Sequence, residues 1–235
     1  MAARDSEIAV VLIARRHLYQ LFQRIFGGDP DGAMLEALAD RSTLEVFELY
    51  FEEGDEALKI FNGVASKVAK DLTDAPDDLL GSLNDEYTRL FIGPLQLPAP
   101  PWESVYVTEE RTLFQACTLK VRKAYLKHHF LPSNYPHEAD DHLAIELDFM
   151  AHLADRSLEL LDAADYGSVE RLLLDQLTFL REHPLVWAAD FAASIQDSKT
   201  HLLYPHMAEV AVRFLETDAT ALEELLRALQ EGDQR

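Results

Sequence analysis

Apolar residues recur three and four positions apart along almost the whole of this chain, and no window alternates apolar with polar in β-branched residues. Spacings of three and four place side chains on one face of a helix, whereas a half-buried strand needs strict alternation. The pattern therefore confines the chain to an all-α fold. Ile8, Val11, Leu12, Leu18, Tyr19, Phe22, Ile25 and Phe26 mark a helix over about residues 6–26, closed by Gly27-Gly28. A short helix is expected over 31–39, and Ser42-Thr-Leu-Glu45 has the form of a capping box that opens another, ending at Gly54. Leu58, Phe61, Val64, Ala65, Val68 and Leu72 describe the next, and Pro76, at a first helical position, begins one that runs through Leu79, Leu80, Leu83, Tyr87, Leu90 and Phe91.

The stretch from Tyr87 to Tyr106 breaks this regularity. Gly93-Pro94 stops a helix, because proline lacks the backbone donor and restricts the residue before it. Pro98, Pro100 and Pro101 hold the following segment in an extended path, with Trp102 and Tyr106 at its far end. A rigid loop carrying large aromatics loses little entropy on meeting a partner, which suits recognition; plugging the core with the same aromatics is the plainer use. Beyond it, Thr108 can cap a helix to about His129, with Leu113, Cys117, Val121 and Ala124 inward and Arg111, Lys120, Arg122, Lys123 and Lys127 on a solvated face.

Residues 131–137 carry two prolines and no periodicity, and mark a hinge between an N-terminal half (1–130, with the proline-rich loop at 93–107) and a C-terminal half (138–235). Helices follow from Glu138 to about Asp162, from Ser168 to Glu182, from Pro184 to Gln196 and from His201 to Glu216, with Thr220-Ala-Leu-Glu223 opening a last one. The expectation is about ten helices in a single globular bundle.

A formal charge of −21, from 42 acids against 21 bases, argues against non-specific nucleic-acid binding and adhesion to anionic lipid, and is permissive of a basic peptide. No apolar run approaches the ~20 residues that span a bilayer, so no stable membrane insertion is expected. The N-terminus lacks the apolar core and cleavage site of a secretory signal, so a cytoplasmic location is expected. Cys117 is the only cysteine, so neither an intrachain disulfide nor a cysteine-based zinc site can form, and its apolar neighbours point to a buried, inert thiol.

His137-Glu138-Ala139-Asp140-Asp141-His142 invites a metalloprotease reading that its spacing rejects. The zinc motif needs two histidines four apart on one helical face, and here they stand five apart, about 140° round a helix. A looser metal site from Glu138, Asp141, His142 and Glu146 remains, with a metal-dependent hydrolase as the activity it would serve. The competing structural role is that Glu138, Asp140 and Asp141 occupy a helix's first turn, where carboxylates satisfy free amides and oppose the dipole. No phosphate loop, Gly-x-Ser-x-Gly elbow or Rossmann fingerprint is present, so no catalytic residue, cofactor or metal is assigned.

Two blocks together carry a resemblance. Tyr87-x-x-Leu-Phe-x-Gly-Pro, followed by Pro-x-Pro-Pro-Trp-Glu-Ser-Val-Tyr106, resembles the first signature of the redox-enzyme maturation chaperones of the TorD/DmsD/NarJ type. Glu138-Ala-Asp-Asp-His142-Leu-Ala-Ile-Glu-Leu-Asp-Phe-Met150 resembles the second, with Ala139 where the family commonly has proline. A weaker third block, Phe179-Leu-x-x-His183-x-x-x-Trp187-x-x-x-Phe191, is similar to the family's C-terminal helix pair.

What the resemblance implies is a non-enzymatic chaperone. Such a protein binds the twin-arginine signal peptide, and often the body, of a molybdopterin oxidoreductase of the dimethyl-sulfoxide-reductase class. It holds the precursor until the molybdenum cofactor is inserted and so prevents premature export. The family is all-helical, and some members form domain-swapped dimers, so monomer and swapped dimer both remain. Carried over by position, Trp102, Ser104, Tyr106, Asp141 and His142 would line the leader groove, with Tyr87, Leu90 and Phe91 as its apolar wall. A basic-then-apolar leader needs carboxylates beside a hydrophobic cleft, which assigns Glu138 and Asp141 to its arginines. The hydrolase and a general helical adaptor are the alternatives.

Overall fold

The computed structural model describes residues 2–94, 96–108, 110, 112–113, 115–133 and 137–233. Among these, all regular structure is helical: eleven α-helices, one π-helical turn and a single isolated β-bridge. The two longest early partners set the frame. α1 (Ala2–Gly27) lies lengthwise against α8 (Leu143–Asp162). Gly27 permits the close crossing at one end, because a Cβ there would stand 2.9 Å from the Ala144 Cβ.

α2 (Gly32–Ala39), α3 (Arg41–Tyr50) and α4 (Glu56–Asp74) wrap the other side of α1, and α9 (Tyr166–Glu182), α10 (Pro184–Asp197) and α11 (Tyr204–Asp233) close the bundle. Phe22, Phe26, Phe47, Phe61, Phe191 and Phe214 fill the space between them, all buried. Aromatic side chains of this size carry most of the apolar burial.

Part of the acidic excess serves the helix starts. Asp31, Asp40, Asp55 and Asp165 each cap a helix by accepting a first-turn backbone N–H, the role in which a short carboxylate is strongest. Asp40 therefore replaces the expected Ser42/Glu45 box, and α3 stops at Tyr50 rather than Gly54. The two helices expected around residues 201–216 and 220 onward are one: α11 runs 30 residues, about 45 Å, with no break at Thr220.

A buried polar network crosses the bundle. The Arg15 guanidinium donates twice to Asp218, at 2.7 and 2.9 Å, and once to Gln176 at 2.6 Å. Asp218 also accepts from the hydroxyls of Tyr19 (2.6 Å) and Tyr50 (2.8 Å), and Gln176 donates to Ser157 (3.0 Å). Asp218 holds Arg15 above its usual pKa against the opposing effect of burial. Five elements, α1, α3, α8, α9 and α11, are tied together at this point.

α5 (Pro76–Tyr87) passes without a break into a π-helical turn (Thr88–Ile92), ended where the Gly93 N–H donates to the Thr88 carbonyl at 2.8 Å. Glu86 at its end is buried and accepts from the Thr200 hydroxyl and from the N–H groups of Leu202 (3.0 Å) and Leu203 (2.9 Å). It thereby anchors the turn leading into α11.

Three further expected boundaries move. The extended path after Gly93 lasts only to Trp102, where a short α6 (Glu103–Val107) begins, and the helix expected from Thr108 is α7, Ala116–Lys127. The helix expected from Glu138 starts five residues later, at Leu143. Arg111 and Phe114, and the part of the expected hinge at 134–136, lie outside the described residues.

Candidate functional site

The first and second sequence blocks meet where α6 and α8 begin. Trp102 and His142 form the antiparallel β-bridge: the Glu103 N–H donates to the Asp141 carbonyl and the Leu143 N–H to the Pro101 carbonyl, both at 2.9 Å. Each donor is the first residue of a helix, so each chain satisfies an amide that the other's helix cannot use internally. The side chains repeat the exchange. Asp141 Oδ2 accepts the Ser104 N–H at 2.9 Å, and His142 Nδ1 accepts the Ala144 N–H at 3.1 Å, so Asp141 caps α6 from across the junction while His142 caps its own helix.

The three acids expected in the first turn of α8 all lie before that helix, and only Asp141 serves a helix N-terminus, that of α6. His142 is buried, and burial pushes its imidazole pKa below the ordinary 6.5 against the pull of Glu138 and Asp141. A neutral ring is the form that can accept at Nδ1, which explains a histidine at the positive end of a helix.

Trp102 stands over this joint. Its indole N–H donates to Glu138 Oε1 at 2.8 Å and its ring meets His142 edge to face at 5.6 Å. Glu138 Oε1 also accepts the Ala139 N–H at 3.0 Å. Both Trp102 and Glu138 are part-exposed, as is Tyr106, which stacks on Trp187 at 5.4 Å. α7 pins the turn from the other side: Tyr125 donates to the Asp140 carbonyl at 2.9 Å and Arg122 to the Asp140 carboxylate at 2.7 Å.

The remaining predicted residues lie behind this surface. Ser104, Asp141 and Leu90 have no exposure, and Tyr87 and Phe91 are buried. Phe91 links the two regions, since it stacks near Phe191 (5.9 Å), and Phe191 in turn meets Tyr106 (6.4 Å). Burial raises the Tyr87 phenol to about 12.

Glu103, His183 and Trp187 carry no role in the sequence reading, and Glu146 only that of a candidate metal ligand. Glu103, first in α6, meets His183 Nδ1 at 2.9 Å, and the Trp187 indole donates to Glu146 Oε2 at 3.3 Å. Burial, then the charges of Glu103 and Asp141, push Glu146 well above the usual carboxylate range. Ser104 Oγ and Asp141 Oδ1 have no hydrogen-bond partner among the described residues, and Glu146 lies beside Glu103. The His183/Trp187 spacing of four was the available signal, but it cannot say which acids the pair would meet.

Among the described residues no three His, Cys, Asp or Glu side chains are disposed to hold a metal. His142 Nδ1 and Asp141 Oδ2 each accept a backbone amide. No helix is long and apolar enough to cross a membrane among the described residues.

Comparison with known proteins defines the class. The model of the nitrate reductase delta subunit family matches residues 51–193, a span holding both blocks. The chain belongs to that family.

Among its relatives are a protein of Haemophilus influenzae named as a probable Tat proofreading chaperone DmsD, 30% identical over 57% of this chain and 59% of the relative, and the chaperone protein TorD of Vibrio cholerae serotype O1, 30% identical over 60% and 63%. The matched region thus spans about six-tenths of the length of these two. A chaperone protein TorD of a Shewanella species is 29% identical over 91% of this chain and 96% of its own. These relatives are chaperones by name, not enzymes.

Proposed function

We propose that this protein is a cytoplasmic chaperone for a molybdopterin oxidoreductase precursor, binding its twin-arginine leader, its body or both until the cofactor is inserted and export is due. The observation that carries the reading is the α6–α8 joint, where both sequence blocks converge on a part-exposed Trp102 and Glu138. Glu138 uses Oε1 for the indole and Ala139, and its second oxygen accepts from no described residue. A guanidinium approaching there gains a charge-assisted bond beside an aromatic face.

Of the two carboxylates expected at the arginines, Glu138 makes the contact. Asp141 acts from beneath, by holding Ser104 and hence α6 in place. His142 holds the start of α8 and seats the Trp102 ring. Tyr106 offers apolar surface, and Tyr87, Leu90 and Phe91 stiffen the wall behind it. A net charge of −21 adds long-range attraction for a basic leader.

The test is isothermal titration against a panel of twin-arginine leader peptides, each paired with its Arg-Arg→Ala-Ala control. Saturable binding to a leader, weakened in the control, is the expected result. Binding of no leader by the folded protein overturns the leader reading.

A further inference from the structure

A cavity of about 520 Å³ opens between α4, α5 and the segment that leads into α11. Ile60, Val64, Val68, Leu79, Leu83 and Leu203 supply its apolar walls. Its rim charges largely cancel: Lys59 pairs with Glu56 at 3.3 Å and Lys67 with Asp71, leaving Asp78, His201 and His206 around the mouth. In a chain with an excess of 21 negative charges, such a groove matches an apolar, uncharged occupant.

Gly63 shapes the groove. It sits in the interior of α4, where glycine costs helix stability, and a Cβ built there would meet nothing within 4 Å. The space over it is open. From Lys59 to Asp71 the α4 wall runs 13 residues, about 18 Å from first to last. The apolar segment of an export leader, 7–15 residues, is about 10–22 Å long as a helix. The groove also abuts the candidate site: Leu83 is one turn before Tyr87, and Leu203 adjoins Tyr204, whose ring is 5.7 Å from Tyr87. Glu86 fixes this wall through Leu202 and Leu203.

We infer that the α4–α5 groove is a second leader subsite, which takes the apolar segment as a helix while the arginines are held at Glu138. The inference rests on the leader reading proposed above. Ile60, Val64 and Val68, at i, i+4 and i+8, line one face of α4 and offer a continuous apolar stripe to the anchors of such a helix.

Titration of two peptides separates the subsites: the leader that binds, and the same leader with its apolar segment replaced by Gly-Ser repeats. Gly63→Phe is expected to weaken the full leader at least tenfold and to leave the Gly-Ser peptide within twofold of its wild-type affinity. Ser82→Phe fills the groove from the α5 wall and serves the same purpose if Gly63→Phe fails to fold. Equal affinity of the full leader for wild type and the folded filling variants overturns the groove while leaving the leader reading intact. Failure of wild type to bind any leader overturns both.

Discussion

Two buried polar centres sit in this bundle and are finished differently. Around Asp218 every group is used: a two-pronged bond from Arg15, two tyrosine hydroxyls, and a glutamine that closes the chain of donors. At the α6–α8 joint, the buried Ser104 Oγ and Asp141 Oδ1 have no partner among the described residues, and burial with the neighbouring Glu103 and Asp141 charges raises the pKa of the Glu146 carboxyl. A satisfied network specifies structure, whereas unsatisfied buried polar atoms cost free energy that structure alone does not repay. The two centres differ in their surroundings: the Asp218 centre is closed on all sides, whereas the joint lies beneath the part-exposed Trp102 and Glu138, where the proposed leader contact falls.

Breaking the Asp218 centre should have the largest effect on stability. Asp218→Ala leaves Arg15 buried and unpaired, and a loss of about 3–5 kcal/mol is expected in denaturant unfolding. Leader affinity of the protein that remains folded should be unchanged. Asp141→Ala at the joint removes one acceptor from Ser104, with an expected loss of about 1–3 kcal/mol. Its signature is faster amide exchange at Glu103 and Ser104 together with weaker leader binding, a pairing that Asp218→Ala should not show.

The joint should also respond to pH in two directions. His142 is depressed below 6.5 in the fold, so the unfolded chain binds its proton more readily. Stability from the neutral cap is complete above about 6.5 and declines as pH falls through the folded value. His142→Asn, which keeps an acceptor but does not titrate, should flatten that decline in thermal melts. Glu146 is raised above 4.5, so the folded chain binds the extra proton and stability falls as pH rises from about 4.5. Glu146→Gln should remove that fall, and its stability relative to wild type should grow with pH.

Most helices were legible in the sequence because their apolar faces repeat at 3.6 residues, and Pro76 and Pro184 stand where they start. Two of the misjudged boundaries lie where distant residues hold the chain, whereas α3 is settled locally by Asp40. α8 begins at Leu143 because Pro101 accepts its first amide, and no local spacing reveals that contact. Thr220 resembles a cap, yet α11 runs through it, since Asp218 just before is held by Arg15 over 200 residues away in sequence. At the site, the acids and aromatics of the two blocks were visible as candidates. Which of them faces solvent was not, because Asp141 and Glu138 look equivalent until α6 is seen to rest on one and Trp102 on the other.

The contrast between the two centres bears most directly on Glu138, which the joint keeps part-exposed with an oxygen in hand. A double-mutant cycle by calorimetric titration, Glu138→Gln in the protein against Arg-Arg→Ala-Ala in the leader, isolates that contact. The expected result is that either change alone weakens binding about tenfold, roughly 1.4 kcal/mol, and that both together cost little more than one. Fully additive losses, or an unchanged affinity for Glu138→Gln, would contradict recognition of the arginines at the joint.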